Sequence, residues 1–327
     1  MRCFKLIEIN IQDIDGFKIG HASNLEAGTG CTVVISEKGA SAGVCVRGGA
    51  PGTRETDLLD PSEMIQEIHA LVLSGGSAFG LDASSGVMEY LEKKNIGFDV
   101  SVTKVPIVCS AVLFDLTCGR CDIRPDKNMG IEACKNSEIY KDNINGNIGC
   151  GTGATVGKFF GPNNAMKGGF GSFAVQVGDL KIAAIVGVNA LGDIKDPKSG
   201  EIIAGALNQD NEFINTEEAI LESIDSKSNA FKGNTTIGAI LCNAKLTKAE
   251  NKKIASMAHN AFARTIFPAH TMFDGDTIFS LSNGDKKYDI SIIGSLATKV
   301  MEEAVVRAIK NADTLHGFKS YKEIKNS

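Results

Sequence analysis

The sequence lacks both a long apolar run and an excess of charge of one sign. Its 327 residues include 34 Lys and Arg against 39 Asp and Glu, a net charge of −5. The longest apolar runs, such as residues 182–188, are far shorter than the roughly 20 residues of a membrane-spanning helix. Binding to nucleic acid or to an anionic membrane calls for clustered basic residues. We therefore expect no nucleic-acid partner and no membrane partner. With no hydrophobic secretion segment at the N-terminus, we also expect a cytoplasmic protein.

The cysteines and histidines do not form a metal-binding pattern. Nine cysteines stand at irregular spacing, which fits reduced thiols. The single CxxC pair, Cys118 and Cys121, has no second pair or nearby histidines to complete a zinc site. Five histidines are present, and His259 and His270 have no distinctive context, so we interpret them as packing or surface residues. We expect no metal.

Glycine is abundant, with 36 residues against 7 prolines, but its clusters do not fit a nucleotide site. Residues 149–154 match GxGxxA formally, yet an Asn/Gly-rich loop precedes them where a dinucleotide site needs a strand. Phe159 follows Gly157-Lys158 where a phosphate loop needs Ser or Thr. We expect no cofactor, and we interpret these glycines as bringing the backbone close to a pocket.

The hydrophobic pattern mixes strands and helices without the regular βαβ spacing of a doubly wound sheet, which indicates an α+β fold. Residues 193–233 are rich in Lys, Asp, Asn, Ser and Glu around one short helix, and we expect an exposed linker there. The predicted strands cover residues 17–34, 42–47, 70–73, 170–177, 181–188, 235–243 and 277–281. The predicted helices cover residues 81–94, 216–224, 247–264 and 291–311.

The tetrapeptide Gly233-Asn234-Thr235-Thr236 lies between this polar segment and a strand-like run. Threonine is a poor nucleophile unless a base is adjacent, and an N-terminal threonine supplies its own α-amine as that base. An internal Thr235 becomes an N-terminus only if the Asn234–Thr235 bond breaks. The tetrapeptide is thus either a self-cleavage site or a polar turn that opens a strand.

Asp274 and Asp276 form the most specific carboxylate pair in the sequence. Side chains two apart at the start of a strand point to the same face. If the strands that begin near Thr235 and Asp276 are neighbours, with the helix between them as the crossover, their starts meet. One aspartate would then contact the Thr235 hydroxyl or amine while the other orients the first. The alternative is a solvated Asp-Gly-Asp turn.

Several segments, taken in order along nearly the whole chain, resemble the DmpA-type family of L-aminopeptidase/D-esterases. This family includes β-peptidyl aminopeptidases and nylon-oligomer hydrolases. The segments are GHA (20–22), EAGTGCTVV (26–34), RGGAPGTRETD (47–57), LSGGSAFGL (73–81), GTGA (151–154), GK (157–158), VGVNA (186–190), NTTI (234–237) and DGDT (274–277).

The resemblance implies a four-layer αββα sandwich, as in ornithine acetyltransferase and with the logic of N-terminal-nucleophile hydrolases. It implies a single catalytic domain, 1–327, that cleaves itself into 1–234 and 235–327. Thr235 is then the nucleophile, supported by Asp274 and Asp276. By motif match, Lys158 and Asn189 polarise the substrate carbonyl and hold the oxyanion.

Two further residues are assigned to the substrate pocket. Ser77 lies in a stretch that narrowly misses the GxSxG elbow, because Phe79 occupies the second glycine position. Phe114 stands where the nylon-oligomer hydrolases place a tyrosine. Because phenylalanine cannot donate a hydrogen bond, activity on nylon oligomers does not follow from the resemblance.

The resemblance therefore predicts a cofactor-free aminopeptidase-type amidohydrolase. Its substrates would be short peptides, amino-acid amides or ω-amino-acid oligomers, and it would assemble as a homotetramer of processed pairs. Two alternatives remain at this stage. One is an acyltransferase of the ornithine acetyltransferase type. The other is an unprocessed, non-catalytic binding protein.

Overall fold

The computed structural model describes residues 6–139, 144–224 and 233–326. The strands are β1 (Ile7–Ile9), β2 (Lys18–Asn24), β3 (Thr29–Val46), β4 (Thr53–Arg54), β5 (Ile68–Ser74), β6 (Phe98–Asp99), β7 (Lys104–Val105), β8 (Val108–Val112), β9 (Thr155–Val156), β10 (Met166–Lys167), β11 (Gly169–Val177), β12 (Leu180–Val188), β13 (Asp193–Lys195), β14 (Ile202–Ala204), β15 (Ala206–Leu207), β16 (Phe213–Ile214), β17 (Ile237–Ala244), β18 (Ile266–Phe267) and β19 (Thr277–Lys286). The α-helices are α1 (Ala83–Lys93), α2 (Lys127–Asn136), α3 (Thr216–Glu222), α4 (Lys248–Thr265), α5 (Ile290–Lys310) and α6 (Tyr321–Asn326).

Strand β3 joins two sheets. Residues 41–46 pair with β19 in a sheet of order β1-β11-β12-β17-β19-β3. Residues 29–35 of the same strand pair with β2 on one side and with β5 on the other, and β5 continues to β8 and β4. The register between β3 and β5 shifts between Ile35 and Ala40. The two strands predicted over residues 17–34 and 42–47 are thus β2 and one long, irregular β3.

Three buried clusters define four layers. Leu71 and Leu73 of β5 pack with Ala239 of β17 and Phe279 of β19, so the two sheets face each other. The outer face of the β17 sheet packs against α4 and α5, and the outer face of the β5 sheet packs against α1 and α2. This arrangement confirms the predicted αββα sandwich. No helix in the described ranges is long and apolar enough to cross a bilayer.

The elements around the tetrapeptide form as their sequences indicate. Thr247 and Glu250 make a reciprocal capping box that starts α4, in which each side chain accepts from the other's backbone N–H. Helix α4 connects β17 to β19, which are adjacent and parallel, with Ile237 opposite Thr277. The predicted neighbourhood of these two strands is therefore confirmed, and their starts lie side by side.

The expectation of an exposed linker over 193–233 is wrong for its first part. Asp193 is 1% exposed, and its carboxylate accepts from Thr216 N at 2.7 Å, Thr216 Oγ1 at 2.7 Å and Ala206 N at 3.1 Å. Ile194 and Ala204 lie in the apolar core beside α4 and α5. This buried carboxylate holds part of the segment against the core, whereas residues 197–201 and 209–213 are exposed, and residues 225–232 fall outside the described ranges.

Candidate active site

Thr235 lies just before β17, at one wall of a cavity of about 520 Å³. It is 5% exposed and Asn234 is 2% exposed, so the peptide between them is buried. The residues of the described chain that line the cavity carry no titratable side chain. They are Ala50, Pro51, Gly52, Ser77, Ala78, Val112, Leu113, Phe114, Gly233, Asn234, Thr235, Met272 and Phe273.

The Asn234–Thr235 peptide is held by hydrogen bonds on both sides. The Thr235 hydroxyl donates to the carbonyl oxygen of Asn234, which is its own preceding peptide. The backbone N–H of Gly275 donates to the same oxygen at 3.0 Å. The Thr235 N–H donates to the carbonyl oxygen of Asn189 at 2.9 Å. The hydroxyl oxygen therefore lies next to the carbonyl group that it would attack in self-cleavage.

Both carboxylates of the predicted pair are buried and accept hydrogen bonds. Asp276 Oδ1 accepts from Thr236 N at 2.8 Å, and its Oδ2 accepts from the backbone N and the ring Nδ1 of His270 at 3.1 and 2.9 Å. Asp274 Oδ2 accepts from the N and Oγ1 of Thr271 at 2.7 and 2.6 Å. Burial, together with the nearby charge of Asp276, raises the pKa of Asp274 to about 6.

The geometry differs from the expected contact between an aspartate and the Thr235 hydroxyl. Within the described chain that hydroxyl bonds to the Asn234 carbonyl, and neither carboxylate accepts from it. The Asp276 carboxylate is instead fixed one residue farther on, at the backbone N–H of Thr236. The reason is the register: Ile237 stands opposite Thr277, so Thr236 rather than Thr235 lies level with Asp276, and the Thr236 N–H donates to its carboxylate.

Lys158 reaches the same site from a distant part of the chain. It is 1% exposed, and its Nζ donates to the carbonyl oxygens of Asn189 at 3.0 Å and Gly233 at 3.2 Å. Burial lowers the pKa of Lys158 to about 7, although the charges of Asp274 and Asp276 oppose this shift. A substantial neutral fraction of this amine thus exists near neutral pH.

Asn189 makes hydrogen bonds to several separate segments that surround the site. Its Oδ1 accepts from Thr155 N at 3.0 Å and its Nδ2 donates to the carbonyl oxygen of Phe114 at 2.9 Å. Its own carbonyl oxygen receives the Thr235 N–H and the Lys158 ammonium. In the uncleaved chain, its side chain is therefore engaged with backbone groups and does not line the cavity.

Phe114 and Ser77 both line the cavity, as the pocket assignment expected. The Phe114 ring lies against Gly233, where an added Cβ would come within 2.7 Å of Cδ1. Ser77 has a left-handed backbone, with φ +54°, which is uncommon for a residue other than glycine. The N–H of Ser77 donates to the carbonyl oxygen of Leu113 at 2.9 Å, which holds this turn at the cavity wall.

Sequence reasoning missed three groups at the site. His270 was interpreted as a packing or surface residue, but it bonds twice to Asp276. The backbone N–H of Gly275 leaves no side-chain signal. Asp115 is buried and accepts from Gly76 N at 2.6 Å and Thr29 Oγ1 at 2.7 Å, which supports the turn that carries Ser77. Of these three groups, only His270 had a signal in the sequence, which was its position six residues before Asp276.

Comparisons with known proteins show similarity over nearly the whole chain. A model of peptidase family S58 matches residues 10–323. An uncharacterized aminopeptidase of Mycobacterium tuberculosis is 36% identical, over 96% of this chain and 97% of its own length. A 6-aminohexanoate-oligomer endohydrolase of Kocuria sp. is 30% identical, over 91% of this chain and 85% of its own length.

Solved structures share the fold. The L-aminopeptidase D-Ala-esterase/amidase of Ochrobactrum anthropi, described as a variant of the Ntn hydrolase fold, superposes with a TM-score of 0.70 at 16% identity. That match covers 97% of this chain and 92% of the other. A β-aminopeptidase of Burkholderia sp. superposes with a TM-score of 0.66 at 15% identity, again over 97% and 92% of the two chains.

Proposed function

The chain belongs to peptidase family S58, and from this premise we propose that it is a self-processing amidohydrolase of the aminopeptidase type whose nucleophile is Thr235. The observation that carries the proposal is the buried contact between the Thr235 hydroxyl and the carbonyl oxygen of Asn234. A turn that merely opened a strand would have no need to bury this peptide against a cavity. Behind this peptide, and outside the lining of the cavity, Lys158 contacts the carbonyl oxygen of Gly233 and the carboxylate of Asp276 accepts from Thr236 N.

The processing step is an N-to-O acyl shift followed by hydrolysis. The Thr235 Oγ1 attacks the carbonyl carbon of Asn234, the C–N bond breaks, and the Thr235 nitrogen leaves as an amine that takes up the hydroxyl proton. Negative charge develops on the Asn234 oxygen, where the Gly275 N–H already donates. Water then hydrolyses the ester to give a carboxylate at Asn234 and a free hydroxyl on Thr235. The products are residues 1–234 and 235–327.

In turnover, the new α-amine of Thr235 is the base for its own hydroxyl. Asp276 carries negative charge one residue away and stabilises the ammonium that forms. When the new C-terminus leaves, the Gly275 N–H loses its acceptor, the Asn234 carbonyl, and Lys158 loses one of its acceptors, the Gly233 carbonyl. Both donors then become available to a substrate carbonyl. We propose that Lys158 and Gly275 then polarise this carbonyl, while Asn189 keeps the walls in place.

The cavity supports an acyl residue with a neutral and largely apolar side chain as the substrate class. Its lining includes the apolar side chains of Pro51, Val112, Leu113, Phe114, Met272 and Phe273. A charged side chain in this space would lose hydration without gaining an oppositely charged partner, because none of the described lining residues carries a titratable side chain. Short peptides and amides with neutral side chains, or ω-amino-acid oligomers with methylene chains, meet this requirement.

Intact-mass analysis of the purified chain, with Thr235→Ala and Thr235→Ser beside it, tests the proposal. We expect two fragments that meet between Asn234 and Thr235 in the wild type and one uncut chain in Thr235→Ala. Thr235→Ser, which keeps a hydroxyl, should still be cut. Thr236→Ala is the matched control, because it alters the neighbouring threonine and leaves the nucleophile in place. An uncut wild type that hydrolyses amides, or a cut at another bond, would refute the proposal.

A further inference from the structure

Among the described residues, His270 makes two of the three hydrogen bonds to the carboxylate of Asp276. Its backbone N–H and its ring Nδ1 both bond to Asp276 Oδ2, at 3.1 and 2.9 Å, and the third bond comes from Thr236 N to Oδ1. The carboxylate is 2% exposed, so these protein groups replace the water that would otherwise solvate it. His270 thus supplies most of the hydrogen bonding that fixes the direction of this carboxylate.

The tautomer of the His270 ring follows from its partners. An ionised carboxylate only accepts, so Nδ1 carries the hydrogen that Asp276 receives. The other nitrogen, Nε2, is buried and has no hydrogen-bond partner among the described residues. A hydrogen on that atom would be an unsatisfied buried donor, so the neutral ring with hydrogen on Nδ1 suits the site.

A second histidine holds the ring of His270 in place. The rings of His259 and His270 meet edge to face, with centroids 4.8 Å apart. His259 is fully buried, and its Nε2 donates to the carbonyl oxygen of Cys45 at 2.9 Å. Burial lowers the pKa of His259 to about 4, which keeps it neutral. His259 therefore packs against His270 as an uncharged ring, and among the described residues the His270 ring hydrogen-bonds only to Asp276.

The backbone of His270 is left-handed, with φ +62°. Histidine is one of the residues that adopt this conformation with moderate frequency, and asparagine and glycine adopt it more readily. The conformation brings the N–H and the ring of the same residue onto one carboxylate oxygen. The next residue, Thr271, does the same for Asp274 with its N–H and hydroxyl. One dipeptide thus positions both aspartates.

We propose that His270 is a positioning residue of the Thr235 site, which holds the carboxylate of Asp276 directed toward the start of β17. The inference rests on the proposed function, because Asp276 acts there on the Thr235 amine. It predicts that the site needs a hydrogen-bond donor at the position of Nδ1 and not an imidazole as such.

Four variants separate this role from general packing. His270→Asn keeps a donor on the γ-branch and suits a left-handed backbone, whereas His270→Gly keeps only the backbone. His270→Asp is nearly isosteric with the Asn variant but replaces the donor with an acceptor. His316→Gly is the matched control, since His316 is also left-handed, with φ +50°, and bonds the backbone of Leu25 on the exposed surface.

The measurements are the rate of self-cleavage, kcat and KM on an amino-acid p-nitroanilide, and Tm. We expect His270→Gly and His270→Asp to slow cleavage and lower kcat by about tenfold to hundredfold, the range for losing one hydrogen bond to an ionised group, with KM within about twofold. His270→Asn should stay within about threefold of the wild type, and His316→Gly should match it.

Two results would overturn the inference. Equal rates for the Asn and Asp variants would show that no donor is required, and this comparison decides the matter even if the Gly variant does not fold. Losses that track Tm in every variant would assign His270 to packing alone. An uncut, inactive wild type would remove the proposed function and this inference with it, whereas a cut wild type that is indifferent to His270 removes only the inference.

Discussion

Replacing Gly275 with alanine should slow self-cleavage much more than it destabilises the fold. A Cβ at this position would lie 2.6 Å from Thr235 Oγ1 and 2.8 Å from the carbonyl oxygen of Ala50. Gly275 is not among the glycines with a left-handed backbone, so alanine can adopt its conformation. The change therefore acts on the nucleophile by contact and not through backbone strain.

The magnitude follows from the displacement that the methyl group requires. An ordinary contact begins near 3.4 Å, so Thr235 Oγ1 must retreat by about 0.8 Å, the difference between 3.4 and 2.6 Å. A misplacement of about 1 Å at a reacting atom can cost on the order of a hundredfold in rate. Overpacking of this kind typically costs about 1–3 kcal/mol of stability. We expect cleavage slowed by about a hundredfold in a chain that still folds.

The assay is the time course of cleavage in freshly refolded precursor, followed by intact mass, together with urea unfolding of each variant. Gly238→Ala is the matched control. A Cβ there would lie 2.8 Å from the carbonyl oxygen of Ile185 and 3.0 Å from Met301 Cε, in the same sheet but away from Thr235. It should lose similar stability and cleave normally. If the two variants cleave at the same rate, the steric argument about the nucleophile is refuted.

Two further predictions concern Lys158 and the cavity. Burial lowers the pKa of Lys158 to about 7 from the ordinary 10.5, so the unfolded chain binds more protons between these pH values and stability rises with pH. The free energy of unfolding, measured with urea across pH 7–10, should therefore rise less steeply with pH in Lys158→Met than in the wild type, by at most about 1.4 kcal/mol per pH unit. An unchanged slope would contradict this. On processed enzyme, kcat/KM for the Leu p-nitroanilide should exceed that for the Glu p-nitroanilide by at least about tenfold, because the described lining offers a carboxylate no cationic partner. Equal values would contradict a site for neutral side chains.

Local patterns in the sequence were sufficient for the elements that carry the nucleophile. The alternation after Thr235, the Thr247–Glu250 capping box and the strand after Asp276 each depend on residues within a few positions of one another. A helix that connects two strands favours their parallel pairing, so the meeting of Thr235 with the Asp274–Asp276 turn also followed from order along the chain.

The amino-acid composition gave a wrong prediction where one buried polar side chain holds a segment against the core. The polar segment after Asp193 suggested an exposed linker, but one carboxylate satisfied by Thr216 and Ala206 draws the segment into the core. A sequence shows that a residue is polar, and it does not show whether partners distant in sequence exist to satisfy it when buried.

By itself, the sequence determined the family, the αββα fold and the position of a threonine beside two aspartates. Only the tertiary structure decided what each polar atom at the site contacts. Lys158 meets Gly233 across 75 residues, Asn189 meets Phe114 across another 75, and His270 turns a left-handed backbone onto Asp276. These contacts depend on how the two sheets and their loops pack, because hydrogen bonds are short and directional while sequence patterns report only which face of an element is buried.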